Sequence, residues 1–144
     1  MYESMNNIKP KVLCIIPARG GSKGLKNKNI QKVNNKPLIY YPIAAAIDSK
    51  VCDRIFVSTD SEEIAKTAKK YNAEVPFLRS RKFSKDLTTT EETLQNALLE
   101  FEKYTKEKFD ICVFLTANRI FRKSIWIKQC VNNLINNNKI ESSF

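Results

Sequence analysis

The residues with the clearest chemical potential lie in residues 16–29, IPARGGSKGLKNKN, which hold all three glycines of the chain. Gly20, Gly21 and Gly24 permit positive φ and close backbone approach, so amide N–H groups here can turn toward an anion as a nest. Arg19, Lys23 and Lys28 add full positive charges beside them. From residue 19 to residue 36 there are six cations (Arg19, Lys23, Lys26, Lys28, Lys32, Lys36) and no carboxylate. Such a segment suits a phosphate-bearing ligand, although charge alone equally describes a solvated basic surface.

Two common phosphate fingerprints are excluded. A Walker A loop needs G-x-x-x-x-G-K-[ST], but five residues after Gly20 stands Leu25, and no G-x-G occurs for a dinucleotide fingerprint. The chain has no histidine, which excludes a Ser/His/Asp triad, a Cys/His dyad and any imidazole-dependent metal site. Chemistry is left to cations, carboxylates and backbone amides. Cys14, Cys52, Cys112 and Cys130 are scattered singly and read as inert core thiols.

The elements that would position this loop follow from periodicity. Residues 11–17 (KVLCIIP) form an apolar, β-branched run that reads as a buried strand feeding the loop. Residues 19–36 have no apolar period and read as one long specialised loop. The spacing of Leu38, Ile39, Ile43, Ala46 and Ile47 predicts a helix over 38–50, with Pro37 in the first turn and a kink at Pro42. Residues 54–58 read as a second strand, and Asp60 with Glu63 has capping-box spacing ahead of a helix over 62–71. A short third strand is expected at 74–78 and a charged loop at 79–87. Thr89 with Glu92 again has capping-box spacing, before a helix over 91–104. Residues 110–115 read as a fourth strand, Ser124 as the cap of a helix carrying Ile127, Cys130, Val131, Leu134 and Ile135, and residues 140–144 as the start of a fifth strand.

Alternation of strand and helix predicts a doubly wound α/β domain with a mainly parallel sheet covered on both faces. Its 144 residues suffice for one domain with a sizeable core. In such sheets ligands bind beyond the carboxyl ends of the strands, where residues 18–29 are expected to lie. No run approaches the roughly 20 apolar residues of a membrane span, and residues 1–11 lack an apolar signal core, so a cytoplasmic protein without a membrane partner is expected. The net charge of +10 raises nucleic acid as a partner, but no aromatic side chain interleaves with the basic loop, so none is expected.

IPARGGSKGLKNKNI, followed by KPLIYYPIAAA, DRIFVSTDSEEIA and EVPFLRS, resembles the acylneuraminate cytidylyltransferase family over about residues 12–122. The resemblance implies a Rossmann-like fold of the nucleotide-diphospho-sugar transferase type, with residues 1–144 as a single nucleotide-binding domain. It implies transfer of a cytidylyl group from CTP to a sialic-type nonulosonic acid, with pyrophosphate released and Mg²⁺ assisting. Arg19, Ser22 and Lys23 match family positions on the CTP phosphates, Arg19 and Lys23 being the catalytic cations. Ala18, Gly20 and Gly21 match the backbone around them. Lys28 and Asn29 match a K-N pair beside the nucleotide, while Arg79 and Thr90 match further nucleotide contacts. Thr89 or Thr90 reads equally as a helix cap. Ser58, Thr59 and Asp60 match the family's S-T-D, with Asp60 at least partly a cap.

The chain departs from the family after residue 115. L-Q-P-T-S-P-L-R is replaced by LTANRIFR, so that Thr116 stands for the Gln that reads the cytosine edge, while Ala117 and Ile120 replace prolines. A hydroxyl lacks the paired donor and acceptor of an amide. The family's sugar-binding and dimerisation region and its Mg²⁺ carboxylates have no match here, since Asp48, Asp53, Asp60, Asp86 and Asp110 form no D-x-D pair. The resemblance therefore describes a truncated member, either a working cytidylyltransferase and homodimer or a non-catalytic relative that keeps the fold and weak nucleotide binding.

Overall fold

A computed structural model describes residues 8–21, 25–83 and 89–144. Strand β1 (Val12–Pro17) leads through residues 18–27 into a 3-10 turn at Lys28–Ile30 and the short antiparallel hairpin β2 (Lys32–Val33) and β3 (Lys36–Pro37). Helix α1 (Tyr40–Ser49), strand β4 (Arg54–Ser58) and helix α2 (Glu62–Lys70) follow, then helix α3 (Thr90–Thr105), strand β5 (Ile111–Phe114) and helix α4 (Ser124–Asn136).

The main sheet has the order β4-β1-β5 and both pairings are parallel. Central β1 is buried on both faces, as its unbroken apolar run requires. Cys14 and Ile16 turn toward a cluster with Ile39 and Ile43 ahead of and within α1, Ile64 and Ala68 of α2, and Ile127 of α4. Leu13 and Ile15 turn the other way, onto Phe56 of β4 and Ala97 and Phe101 of α3. The period-2 alternation of one strand thus supplies two cores, and helices cover both faces. Each fully buried Leu, Ile or Phe contributes about 1.5–3 kcal/mol relative to exposure.

The long loop contains more order than its composition suggests. Asn34 and Asn35, at φ 49° and 63°, make the two-residue left-handed turn that matches strand twist. The Tyr41 hydroxyl donates to the Val33 carbonyl, tying the hairpin to α1. Pro37 accordingly lies in β3 and not in the helix. Pro42 causes no kink, because α1 starts at Tyr40 and puts the proline in the first turn, where its missing N–H has no intrahelical partner to lose.

The expected third strand reduces to a single parallel bridge between Phe56 and Glu74. Glu74 donates to Ile55 O and accepts from Val57 N, but Pro76 cannot donate, which ends the ladder. Arg54 holds this edge through paired bonds of 2.7 Å to both Glu74 carboxylate oxygens and one of 2.8 Å to Glu107. Helix α4 begins at Ser124 itself, with Lys123 in the cap position and no side-chain cap bond. Residues 140–144 form no strand. Of the four cysteines, Cys14 is buried, Cys52 and Cys130 are half-buried and Cys112 is exposed on the edge strand, so the expectation of core thiols fails for Cys112.

Thr89 caps α3 in a complete capping box, accepting from Glu92 N at 3.1 Å while Glu92 Oε2 accepts from Thr89 N at 2.9 Å. Thr89→Ala is expected to cost about 1 kcal/mol, read as a lower denaturant midpoint at unchanged slope. At the other end of α3, Lys108 and the Phe109 amide hold the Glu102 carboxylate below its usual range. A carboxylate with a depressed folded pKa stabilises above its unfolded value and loses that contribution as pH falls through the folded one. The melting temperature is therefore expected to fall as pH drops below about 4.3, the ordinary glutamate value. Glu102→Gln should flatten that part of the curve, measured by thermal melts across pH.

Candidate functional site

All three main-sheet strands end on one edge, at Pro17, Ser58 and Phe114, and the loops leaving them build the site. The first loop is fastened to the second strand and the turn after it. Ala18 N donates to Ser58 O at 2.9 Å, and Gly20 N donates to Asp60 Oδ1 at 2.8 Å. A Cβ at Gly20 would stand 2.9 Å from Ser61 Cβ, so glycine is required there for close approach and not for a left-handed φ. Around Gly21 nothing lies within 4 Å of such an atom, and this residue faces solvent.

The loop then folds back on itself. Asn27, left-handed at φ 56°, donates from its backbone to Gly20 O at 3.2 Å and from its side chain to Glu63 Oε2 at 2.9 Å. Asn29 Nδ2 donates to Arg19 O at 3.1 Å, and its carbonyl accepts from Ile39 N at 2.8 Å. Asn29 is thus a brace that fixes the backbone presenting Arg19. Lys28 is exposed on the 3-10 turn.

Arg79 approaches from the segment beyond β4, its backbone N–H donating to Thr59 O at 2.7 Å. Its side chain is buried, at 8% exposure. Burial holds its pKa below the usual guanidinium value, and the neighbouring charge of Arg19 acts in the same direction while Asp60 opposes both. Arg79 thus shares the electrostatic field of Arg19 and Asp60, and it also walls a cleft of about 280 Å³ with Ser58, Asn96 and Glu100. Two mutually coupled cations, one buried and one half-buried, suit an incoming polyanion.

The structure brings Ala18, Arg19, Gly20, Gly21, Asn29 and Arg79 together and leaves Lys28 outward. Ser22 and Lys23 lie outside the described residues. Thr90 opens α3 and is exposed, the cap being Thr89; among the described residues no hydrogen bond joins it to the loop. Two expectations are corrected. Ser61, not Asp60, caps α2, accepting from Ile64 N at 3.4 Å, because Asp60 is turned toward Gly20. The Gly20 amide is accordingly not a free nest donor.

Sequence reasoning missed the inward role of Arg122. Its Nη2 donates to Thr116 O at 3.2 Å and Thr116 Oγ1 at 3.4 Å, closing the loop after β5. Its Nη1 is buried with no partner among the described residues, and burial lowers its pKa. The sequence signal was that Arg122 keeps the final R of the family's L-Q-P-T-S-P-L-R where most of LTANRIFR departs from it. Among the described residues no three acidic or cysteine side chains converge to hold a metal, and Asp60 Oδ1 already accepts from Gly20. The donor set among the described residues does not fit a Mg²⁺ site.

Solved structures place this parallel α/β sheet, with cationic loops at its carboxyl edge, in the nucleotide-sugar transferase type of fold. A CMP:2-keto-3-deoxy-manno-octonic acid synthetase complexed with CTP superposes with a TM-score of 0.74 at 18% identity, over 90% of this chain and 49% of that one; at that identity the likeness speaks for the fold alone. Residues 13–144 match the cytidylyltransferase family, and the chain belongs to that family. It is 45% identical to the CMP-N,N'-diacetyllegionaminic acid synthase of Campylobacter jejuni subsp. jejuni serotype O:2 (strain ATCC 700819 / NCTC 11168), over 75% of this chain and 46% of the relative. It is 39% identical to the pseudaminic acid cytidylyltransferase of Campylobacter jejuni subsp. jejuni serotype O:23/36 (strain 81-176), over 88% and 54%. The chain thus spans about half the length of the curated relatives it matches. No helix among the described residues is long and apolar enough to cross a membrane.

Proposed function

We propose that this chain is the nucleotide-binding portion of a cytidylyltransferase that activates a nonulosonic acid with CTP. In that reaction the sugar's anomeric hydroxyl oxygen attacks the α-phosphorus, the bond from that phosphorus to the pyrophosphate breaks, and a CMP-sugar and pyrophosphate result. Such transfers demand alignment and compensation of negative charge more than covalent help. The observation that carries the reading is buried Arg79, electrostatically coupled to Arg19 and standing beyond the carboxyl ends of the parallel strands where the glycine loop leaves β1. Arg19 and Lys23 are the cations assigned to the phosphates, with Ala18, Gly20 and Gly21 shaping the backbone. Ser22, Lys28, Asn29, Arg79 and Thr90 complete the nucleotide contacts. The names of the relatives support a nonulosonic acid as the acceptor class.

A second reading, a relative that binds nucleotide without turnover, is favoured by Thr116. It replaces the family's base-reading amide, and its hydroxyl already accepts from Arg122. Calorimetric titration with CTP and UTP, alongside pyrophosphate release on N,N'-diacetyllegionaminic and pseudaminic acids, separates the two. CTP binding with release supports the first, and binding without release supports the second. Absence of both overturns the nucleotide assignment.

A further inference from the structure

We infer that Asp60 and Glu63 form an acidic clamp on Gly20 and Asn27 of the cationic loop, with Asp60 the positioning residue for its Gly20 end. This rests on the nucleotide reading above, which assigns the loop its ligand. Two anchors carry it. Gly20 N donates to Asp60 Oδ1 at 2.8 Å, and Asn27 Nδ2 donates to Glu63 Oε2 at 2.9 Å. The anchors sit at the two ends of residues 20–27, and the Asn27 N–H to Gly20 O bond of 3.2 Å closes those ends on each other. Both acceptors belong to one turn, the entry to α2, whose own cap is made by Ser61 instead.

The chemistry accounts for the use of carboxylates from elsewhere in the chain. Residues 19–36 contain six cations and no acid, so their mutual repulsion has no compensating carboxylate within the segment. Asp60 offsets this from outside: its charge acts on Arg79 against the effect of Arg19. It also withdraws one donor from a ligand, since the Gly20 amide is engaged by Asp60, whereas Gly21 is exposed. Loop order achieved before binding is order that the ligand does not have to impose.

Asn at position 60 keeps an oxygen acceptor for the Gly20 amide and removes the charge, whereas Ala removes both. Wild type, Asp60→Asn and Asp60→Ala are compared by calorimetry with CTP and with inorganic triphosphate, and by hydrogen exchange at the Gly20 amide without ligand. The clamp predicts that Asp60→Ala weakens both ligands about 10-fold or more and speeds Gly20 exchange. Asp60→Asn retains Gly20 protection and binds both within about 3-fold of wild type or more tightly. Equal losses of affinity in both variants, or a protected Gly20 amide in Asp60→Ala, overturns the inference. If wild type binds neither probe, the nucleotide reading fails, while the exchange comparison still decides whether Asp60 holds the loop.

Discussion

Arg79→Met is expected to weaken CTP binding by about 10- to 100-fold while leaving the fold intact. A hydrogen bond between charged groups contributes about 1.5–3 kcal/mol net, and each 1.4 kcal/mol is tenfold in affinity. Arg79 should lie near the upper end, because its guanidinium is already largely out of water and surrenders little hydration on meeting a phosphate. Methionine replaces much of the buried stem without the charge. Calorimetry at fixed ionic strength measures the loss, and circular dichroism checks the fold. The salt dependence of CTP affinity should also become shallower in the variant, since one cation fewer faces the polyanion. Wild-type affinity in Arg79→Met would remove this residue from the site. Arg19→Met should show a smaller loss, being half-buried and more solvated.

The largest loss of stability is expected from Phe101→Ala, about 3–5 kcal/mol. Phe101 is fully buried, and its ring stacks on Phe56 with centroids 4.6 Å apart and planes 19° from parallel. Among the described residues its cluster comprises buried Leu13, Ile15, Phe56, Ala97 and Phe101, rimmed by half-buried Phe77, Leu94, Leu98 and Phe109, and removing the ring leaves a cavity that close-packed neighbours fill only in part. A domain is typically stable by about 5–15 kcal/mol, which makes this a large share. Urea denaturation should show a much lower midpoint with an unchanged slope. A loss below about 1 kcal/mol would mean that α3 does not seal this face of the sheet as described.

What could be read from the sequence tracks how local the controlling physics is. Strands β1, β4 and β5 announce themselves as apolar β-branched runs, and α3 carries its cap, Thr89 with Glu92, within four residues. The parallel α/β layout follows from their alternation. The errors arise where a distant partner wins. Asp60 has capping-box spacing from Glu63, yet each bonds to the loop, Asp60 across 40 positions and Glu63 across 36; spacing along a chain cannot rank those partners. Pro42 looked like a break only because the helix was started too early. The third strand failed at Pro76, a signal that was present but outweighed by its apolar neighbours. The Asn34-Asn35 turn was likewise visible, hidden by reading residues 19–36 as one loop.

In the site, residue types were legible and their assembly was not. The glycines and Arg19 stand together in sequence, but Arg79 is 60 positions away and its burial beside Arg19 comes from the Thr59 carbonyl holding its backbone. Conversely, the amides of a glycine loop look alike in sequence, whereas Gly20 is engaged by Asp60 and Gly21 is open. The replacement at Thr116 was readable, while the Arg122 bond that engages its hydroxyl depends on how the loop after β5 closes.

A nucleoside triphosphate is expected to lie in the angle between the loop after β1 and Arg79. A crystal structure of the chain with CTP tests it directly. The account predicts phosphate oxygens within hydrogen-bonding distance of both Arg19 and Arg79, with the Gly20 amide still on Asp60. Triphosphate density away from the carboxyl edge of the sheet, touching neither arginine, would contradict it.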